Sequence, residues 1–348
     1  MDSTADTRRR HFARAAALCL LLGLPASAAQ AQQPSPGGPL SRPSWDAAMQ
    51  RRMELSRRAI EELTRRQLEE GKPSGKFPSD ANKSAAKPGT VRAVSPEERR
   101  ALAHTEKGLA HFSKQRYEQA LKEYAEALRL YPAFAAAHNN MGSALFALSR
   151  FEEAVAAFRE AARVEPKYAQ AHFNLGLGLL KLGRETEASS AFIKAAEAYM
   201  AEGEEHLAGG RFKEAEAAFK ELLRIDPSFA RAHLKLGMVY NADRRFAEAV
   251  TSLNELARLE PRSAAAYEHL GAAYNGLGRH AEALAAAERA VRLEPRSAAA
   301  HFHLGVAQAS LGRHAEALAE QDKLKELNAP ELAATLSELI EKKPARKP

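Results

Sequence analysis

Residues 265–295 have the sequence AAYEHLGAAYNGLGRHAEALAAAERAVRLEP, and blocks of this kind recur along most of the chain. Each block contains two helix-forming stretches joined by a turn such as Leu277-Gly278-Arg279. One alanine in the second stretch recurs at intervals of 34 residues, with a single interval of 27. A period of this length in helix-forming sequence predicts an all-α solenoid of helical hairpins. The marker alanines are Ala120, Ala154, Ala188, Ala215, Ala249, Ala283 and Ala317.

Three positions of the block predict how the hairpins pack. If the closing proline is position 32, the seven repeats begin at residues 101, 135, 169, 196, 230, 264 and 298. Glycine at position 8 and alanine at position 20 let the paired helices approach closely. The residue at position 24, which is large in most repeats, fills the groove beside them. The glycines are Gly108, Gly142, Gly176, Gly203, Gly237, Gly271 and Gly305.

This pattern resembles the tetratricopeptide repeat (TPR) family. The segment AHFNLGLGLLKLGRETEA at 171–188 and the block quoted above carry the family's Leu-Gly, Tyr, Ala and Pro positions. The resemblance covers about two thirds of the chain and implies a right-handed superhelix of hairpins. Repeat seven departs from the family with Ala329-Pro330 in place of a proline at position 32. Position 4 also departs and is histidine in five repeats, which we interpret as a packing role: His104, His138, His172, His233 and His301.

The short interval between Ala188 and Ala215 predicts a break in the array. Seven residues are missing where the second helix of repeat three should turn into the first helix of repeat four, and no glycine or proline lies between Arg184 and Gly203. Seven residues are close to two helical turns, so the apolar faces stay nearly in phase. We therefore predict one continuous helix over about 185–207, shared by two lobes at 95–195 and 196–343. The alternative is a sharp turn near Tyr199–Gly203 that restores ordinary stacking.

The resemblance implies that a ligand lies in a concave groove and contacts positions 2, 5, 6, 9, 12 and 13 of the first helices. Asparagine amides there can hold a peptide backbone, and apolar side chains can form pockets; ordinary helix-surface polarity is the other interpretation of the asparagines. A carboxylate clamp needs several cations, and only Arg231 and Lys235 qualify, so we do not predict a chaperone-type C-terminal tail as ligand. The predicted protein-binding groove residues are Asn139, Asn140, Phe173, Asn174, Lys181, Leu234, Lys235, Met238, Asn241, His269, Phe302 and His303.

Arginine recurs at position 16 of every repeat and could form a ladder that binds a polyanion. Glutamate occupies position 19 in six of the seven repeats. Residues three apart on a helix face each other and can neutralise each other, so we favour a structural role. The arginines are Arg116, Arg150, Arg184, Arg211, Arg245, Arg279 and Arg313.

No catalytic or metal-binding pattern accompanies the repeats. His301 and His303, the closest histidine pair, point in nearly opposite directions on a helix and cannot chelate one ion. The sequence contains no Gly-rich phosphate loop, nucleophile elbow or HExxH motif. We therefore predict a protein that is not an enzyme and holds no metal or cofactor.

The basic charge of the chain is confined to its N-terminal part. Residues 1–94 hold 16 Lys and Arg against 9 Asp and Glu, whereas residues 95–348 hold 35 of each. Nucleic acid binding requires a basic face on the binding element. We therefore do not expect a nucleic acid partner.

Residues 1–31 have the features of a cleavable export signal. A basic segment with Arg8, Arg9 and Arg10 precedes an apolar run over 15–24, which is too short to span a bilayer and is followed by A-x-A cleavage matches. The arginine pair leaves general and twin-arginine export both open. The only cysteine, Cys19, lies inside the run, so the mature chain would contain no disulfide.

Residues 32–94 are predicted to be a flexible leader with one charged helix over about 45–70 and a linker over 71–94. The helix has a narrow apolar stripe, which we interpret as loose packing; oligomerisation through it is the alternative and is not predicted. Ser95-Pro96-Glu97-Glu98 is typical of a helix start. A capping helix over 330–343 and a tail over 344–348 end the chain.

These features predict an exported, periplasmic or secreted TPR scaffold that binds a protein partner or an extended peptide. The mature chain would have no transmembrane segment. Its role would be in the assembly or upkeep of the cell envelope. Two alternatives are a glycan- or lipid-binding solenoid of the envelope, which would use the arginine ladder, and a non-catalytic partner of an envelope enzyme.

Overall fold

Every regular element in the described part of the chain is an α-helix. A computed structural model describes residues 95–342. The predicted export signal, the leader with its charged helix and linker, and the tail at 344–348 lie outside these residues. The helices are α1 (Pro96–Phe112), α2 (Tyr117–Leu130), α3 (Ala135–Ala147), α4 (Phe151–Val164), α5 (Ala169–Lys181), α6 (Glu185–Ala208), α7 (Phe212–Ile225), α8 (Ala230–Ala242), α9 (Phe246–Leu259), α10 (Ala264–Gly276), α11 (His280–Leu293), α12 (Ala298–Ser310), α13 (His314–Glu326) and α14 (Pro330–Lys342).

The first helix begins at the predicted helix start and carries a capping box there. The amide of Glu98 donates to Ser95 Oγ at 3.1 Å, and the amide of Ser95 donates to Glu98 Oε2 at 2.9 Å. Pro96 occupies the first helical position, where its missing N–H has no consequence. Two amides that have no partner within the helix are thereby satisfied.

The turn inside each hairpin contains one residue with a left-handed backbone. This residue is at position 15, and its φ lies between 57° and 80°. Glycine adopts this conformation without strain and is present in four repeats, whereas Gln115, Ser149 and Arg244 adopt it in the others. The amide of the next residue then bonds to a carbonyl five residues earlier, as Arg150 does to Leu145 at 2.9 Å.

Glycine at position 8 makes room for the residue at position 24. A Cβ atom added at Gly142 would overlap the Phe158 ring, and the equivalent overlap occurs in the other repeats from one to five. Repeat six has the small Ala287 at position 24, and a Cβ atom at Gly271 would meet its nearest atoms at 3.5 Å, an ordinary contact. The predicted packing of small against large residues is thus confirmed.

The helix α14 closes the C-terminal end of the repeats. Position 24 of repeat seven is Gln321, and the space beside Gly305 is filled by Leu336 of α14 instead. Leu336 is fully buried and forms an apolar cluster with Leu324. The helix predicted over 330–343 is therefore present and packs on α12 and α13.

The helix α6 is continuous over 24 residues, or about 36 Å. Its first half is the second helix of repeat three, with Phe192 against Gly176, and its second half is the first helix of repeat four, with Gly203 against Phe219. The continuous helix predicted over 185–207 is confirmed, and the alternative turn is wrong. The described residues form two compact units, 95–199 and 200–342; the functional lobes stay a prediction.

In five of the seven repeats, the residue at position 4 joins the repeat to the turn before it. His172 Nε2 donates to the Pro166 carbonyl at 2.9 Å. Tyr267, which replaces histidine in repeat six, donates from its hydroxyl to the Pro261 carbonyl at 3.2 Å. The predicted packing role is confirmed for four of the five histidines, whereas His104 contacts Glu123 instead. The same bond to a proline carbonyl is made by His138, His233 and His301.

Candidate protein-binding face

The first-helix face is the surface formed by positions 2, 5, 6, 9, 12 and 13 of the first helices. In residues 200–342, two cations of this face share one carboxylate. Glu204 Oε1 lies 2.9 Å from Arg231 Nη2 and 3.0 Å from Lys235 Nζ. Burial acts to raise the pKa of Glu204, but the hydrogen bonds and charges of Lys235 and Arg231 together lower it. The ionised carboxylate offsets the charge of the two residues that a carboxylate clamp would use.

Asparagines at position 12 connect neighbouring first helices. Asn241 Nδ2 donates to the His269 carbonyl at 3.1 Å, and Asn275 Nδ2 donates to the His303 carbonyl at 3.0 Å. In both cases the acceptor is position 6 of the next repeat. These bonds hold α8, α10 and α12 in register and place two histidines on the same face, one repeat apart.

His269 and His303 make part of this face uncharged. Burial lowers the pKa of His269 and lowers that of His303 to about 4, although the carboxylate of Glu268 acts to raise both. Both rings are therefore neutral at pH 7. Phe302 lies edge-on to the His303 ring, with 5.4 Å between the centroids. An apolar and aromatic surface results at this end of the face.

In residues 95–199, the predicted groove asparagines bond to each other. Asn174 Nδ2 donates to Asn139 Oδ1 at 2.9 Å, and Gln170 Nε2 donates to Asn174 Oδ1 at 2.9 Å. The hydroxyl of Tyr199 donates to Gln170 Oε1 at 2.8 Å. The two asparagines are only 1% and 4% exposed. Their amides thus satisfy each other in the interior, and this use competes with the predicted contact to a peptide backbone.

Nine of the twelve predicted groove residues retain surface. Phe173 is 2% exposed and packs on Phe192 with ring centroids 5.7 Å apart, so it lies in the interior with Asn139 and Asn174. The role of the other nine in binding stays a prediction. They are half-buried except for the exposed Lys181: Asn140, Lys181, Leu234, Lys235, Met238, Asn241, His269, Phe302 and His303.

Five of the seven arginines of the ladder pair with the glutamate at position 19 of their own repeat. Arg150 Nη2 lies 2.7 Å from Glu153 Oε2, and this hydrogen bond is the largest factor that lowers the pKa of Glu153. Such local pairs support the structural interpretation of the ladder and leave little free charge for a polyanion. The same pairing over three residues is made by Arg184, Arg245, Arg279 and Arg313.

Four polar residues of this region were absent from the sequence-based set. Gln170, Glu204 and Asn275 occupy positions 2, 9 and 12, so the position rule already pointed to them. The overlooked signal at Asn275 is its match to Asn241 one period earlier. Tyr199 is at position 4 of repeat four and contacts Gln170 because it lies within the fused helix α6. No simple position rule selects it.

The described helices carry neither a metal-binding cluster nor a membrane-spanning segment. Within 95–342, the His, Cys, Asp and Glu side chains nowhere gather in threes that could hold a metal ion. None of the helices in this range combines the length and hydropathy that crossing a bilayer requires.

Comparison with protein families identifies the repeat. Models described as "TPR repeat" match residues 108–149 and 142–183, and models described as "Tetratricopeptide repeat" match residues 200–259, 242–293 and 270–331. These helical hairpins define an all-α solenoid, as the sequence predicts. The matches cover more than half of the chain, which therefore belongs to the TPR family. Membership supports a role as a protein–protein interaction scaffold.

Several solved structures are similar to this chain at low sequence identity. A tetratricopeptide repeat protein from Parabacteroides merdae is 19% identical over 70% of this chain and 98% of its own, with a TM-score of 0.36. MamA from Desulfovibrio magneticus RS-1 is 23% identical over 56% of this chain and 94% of its own, with a TM-score of 0.35. A search of curated proteins found no match.

Proposed function

We propose that this chain is an exported, non-catalytic TPR scaffold that binds an extended segment of a partner protein on its first-helix face. The observation that carries the proposal is a strip in residues 200–342 where Glu204 offsets the nearby cations and where His269 and His303 are uncharged. This surface favours a segment with apolar anchor residues over an acidic tail. The half-buried apolar side chains of the strip are Leu234, Met238 and Phe302.

Site-specific photo-crosslinking tests this surface. A photoreactive residue is placed at Met238 or Phe302 in the full chain, and at Arg279 or Arg313 as matched positions on the arginine ladder. We expect the first two positions to crosslink to the same partner protein in the native envelope, and the ladder positions to give little product. Crosslinks from the ladder alone would reverse the assignment.

Export and an envelope role rest on the N-terminal sequence. The short apolar run followed by A-x-A favours cleavage near residue 29 or 32, which would deliver the repeats to the periplasm or beyond. N-terminal sequencing of the purified envelope form tests this. A product that retains Met1 and remains embedded in the membrane would contradict it.

The two alternatives differ in the surface that binds and in the molecule that it binds. A glycan- or lipid-binding solenoid would use the arginine ladder, whose pairing with glutamates makes it the weaker candidate. A non-catalytic partner of an envelope enzyme would crosslink from Met238 to a protein with its own active site. Identification of the crosslinked species by mass spectrometry separates the two.

A further inference from the structure

The residue at position 4 contacts a carboxylate in repeats one and seven. His301 Nδ1 lies 2.6 Å from Glu320 Oε2, and His104 Nδ1 lies 2.8 Å from Glu123 Oε2. In both repeats the glutamate is at position 23. His301 also donates from Nε2 to the Pro295 carbonyl, so both of its ring nitrogens face oxygen acceptors. The hairpin geometry therefore brings residue 23 to Nδ1 of residue 4.

Repeat three keeps the histidine but lacks this carboxylate. His172 is 7% exposed, and its Nε2 donates to the Pro166 carbonyl. Position 23 is Ala191. Nδ1 of His172 is buried and has no hydrogen-bond partner among the residues that the structure describes. Buried polar atoms are almost always hydrogen-bonded, so this nitrogen lacks a partner that its counterparts in repeats one and seven have.

A cavity of about 380 Å³ lies beside His172 and Ala191, between α4, α5 and α6. We call it the α4–α6 cavity. Its volume is in the range of pockets that bind ligands. Three cations line it against one carboxylate, which favours an anionic occupant. The charged wall residues are Arg159, Arg163, Lys194 and Glu187.

The cations of the cavity are not all engaged. Arg159 Nη2 lies 2.9 Å from Glu187 Oε2, and Arg163 pairs with Glu160, which lies one turn earlier on the exposed surface of α4. Lys194 is exposed and forms no ion pair with any residue in the range 95–342. The Lys194 ammonium group at the edge of the cavity is therefore available to bind an anion.

We propose that the α4–α6 cavity binds the carboxylate of a glutamate or aspartate side chain presented by a partner protein. The carboxylate occupies the space that Glu123 and Glu320 fill in repeats one and seven, accepts a hydrogen bond from His172 Nδ1 and lies beside Lys194. In repeats one and seven the equivalent space already holds a glutamate side chain from a helix. We therefore favour a protein side chain over a small free acid as the ligand. The site is separate from the first-helix face and goes beyond the proposed function.

Carboxylate binding requires a second proton on His172. Nε2 already donates to the Pro166 carbonyl, so Nδ1 donates to the ligand only when the imidazole carries both protons. Glu187 stays ionised because hydrogen bonding from Arg184, above all, lowers its pKa.

Nitrogen-15 NMR of histidine-labelled full chain tests the site. His172→Gln assigns the signals, and the probes are the blocked peptide acetyl-Ala-Ala-Glu-Ala-Ala-amide, its glutamine twin and free glutarate. We expect the glutamate peptide to shift the His172 ring signals and the glutamine twin to bind roughly ten-fold more weakly.

Two matched variants isolate the cavity. Ala191→Glu recreates the histidine–glutamate pair of repeats one and seven, and it should fill the site and abolish peptide binding. Ser252→Glu makes the same change at position 23 of repeat five and should leave binding unchanged. Lys194→Gln, an exposed change that leaves the core intact, should weaken binding roughly three-fold.

Three outcomes would overturn the proposal. If peptide binding survives Ala191→Glu, the cavity is not the binding site. The same conclusion follows if no carboxylate probe shifts the His172 signals. Binding of glutarate without binding of the peptide would assign the site to a small acid and rule out a partner side chain as its ligand. Because no variant touches the first-helix face, these results are independent of the crosslinking at Met238 and Phe302.

Discussion

At the scale of single residues, the two helices of a hairpin fit because space at position 8 matches bulk at position 24. Gly142 faces the Phe158 ring, whereas Gly271 faces only Ala287 and neighbouring atoms at ordinary contact distance. Core packing at native density tolerates an added methyl group only where room remains. Glycine at position 8 is therefore required for space in repeat two but not in repeat six.

We expect Gly142→Ala to lower the free energy of unfolding by about 1–3 kcal/mol, because the new methyl group overlaps Phe158. Gly271→Ala is the matched change in repeat six. It should leave stability unchanged or raise it by about 0.5–1 kcal/mol, because alanine favours the helix. Urea unfolding followed by circular dichroism measures both. Equal losses at the two positions would show that position 24 does not decide the outcome.

The sequence predicted the packing residues better than the binding residues. Glycine, alanine and a large residue recur with the period, so their partners follow from the hairpin alone. The bond between Asn139 and Asn174 did not follow, because a position rule says that two side chains share a face but not that they bond. Whether such a face is buried depends on how the neighbouring helices pack against it. Tyr199 reaches this face only because α6 continues past the point where other repeats turn.

At the scale of helices, α6 shows that the absence of a stop signal was sufficient to predict its continuity. No glycine or proline interrupts residues 185–202, and the helix runs through the point where other repeats turn. A loss of seven residues leaves its apolar side chains on one stripe, since seven residues make about two turns. Phe192 and Gly203 can therefore serve two consecutive repeats.

A proline in the middle of α6 should test this continuity. Ala198→Pro removes a backbone hydrogen bond and clashes with the preceding turn, and we expect it to lower the free energy of unfolding by about 3 kcal/mol or more. Glu185→Pro lies at the first helical position, where proline fits, and should change it by less than about 0.5 kcal/mol. Urea unfolding and amide hydrogen exchange across 190–206 measure the difference. If Ala198→Pro were as stable as the parent chain, the helix would have to contain a break.

At the scale of the whole molecule, stability in a linear array is distributed locally. Each repeat contacts its neighbours, so damage at one end need not spread to the other. The C-terminal end depends on Leu336, which is fully buried, whereas Leu318 on α13 is 47% exposed. These two leucines provide a direct comparison.

We expect Leu336→Ala to lower local stability by about 2–5 kcal/mol, with faster hydrogen exchange in α12 and α13 and unchanged exchange in α3. Leu318→Ala should change stability by less than about 0.5 kcal/mol. Hydrogen exchange followed by mass spectrometry resolves the individual helices. A uniform loss of protection from α1 to α14 would mean that the array unfolds as one cooperative unit.

Tandem arrays lengthen in evolution when one period of the gene is duplicated. A copy of a repeat from one to five brings its own large residue to fill the space beside its glycine. A copy of repeat seven would not, because Gly305 is covered by Leu336 from α14 and not by Gln321 within the repeat. Duplication of the last repeat would therefore leave an unfilled space in every copy but the final one. New repeats in this lineage are expected to arise from the interior of the array and not from its C-terminal end.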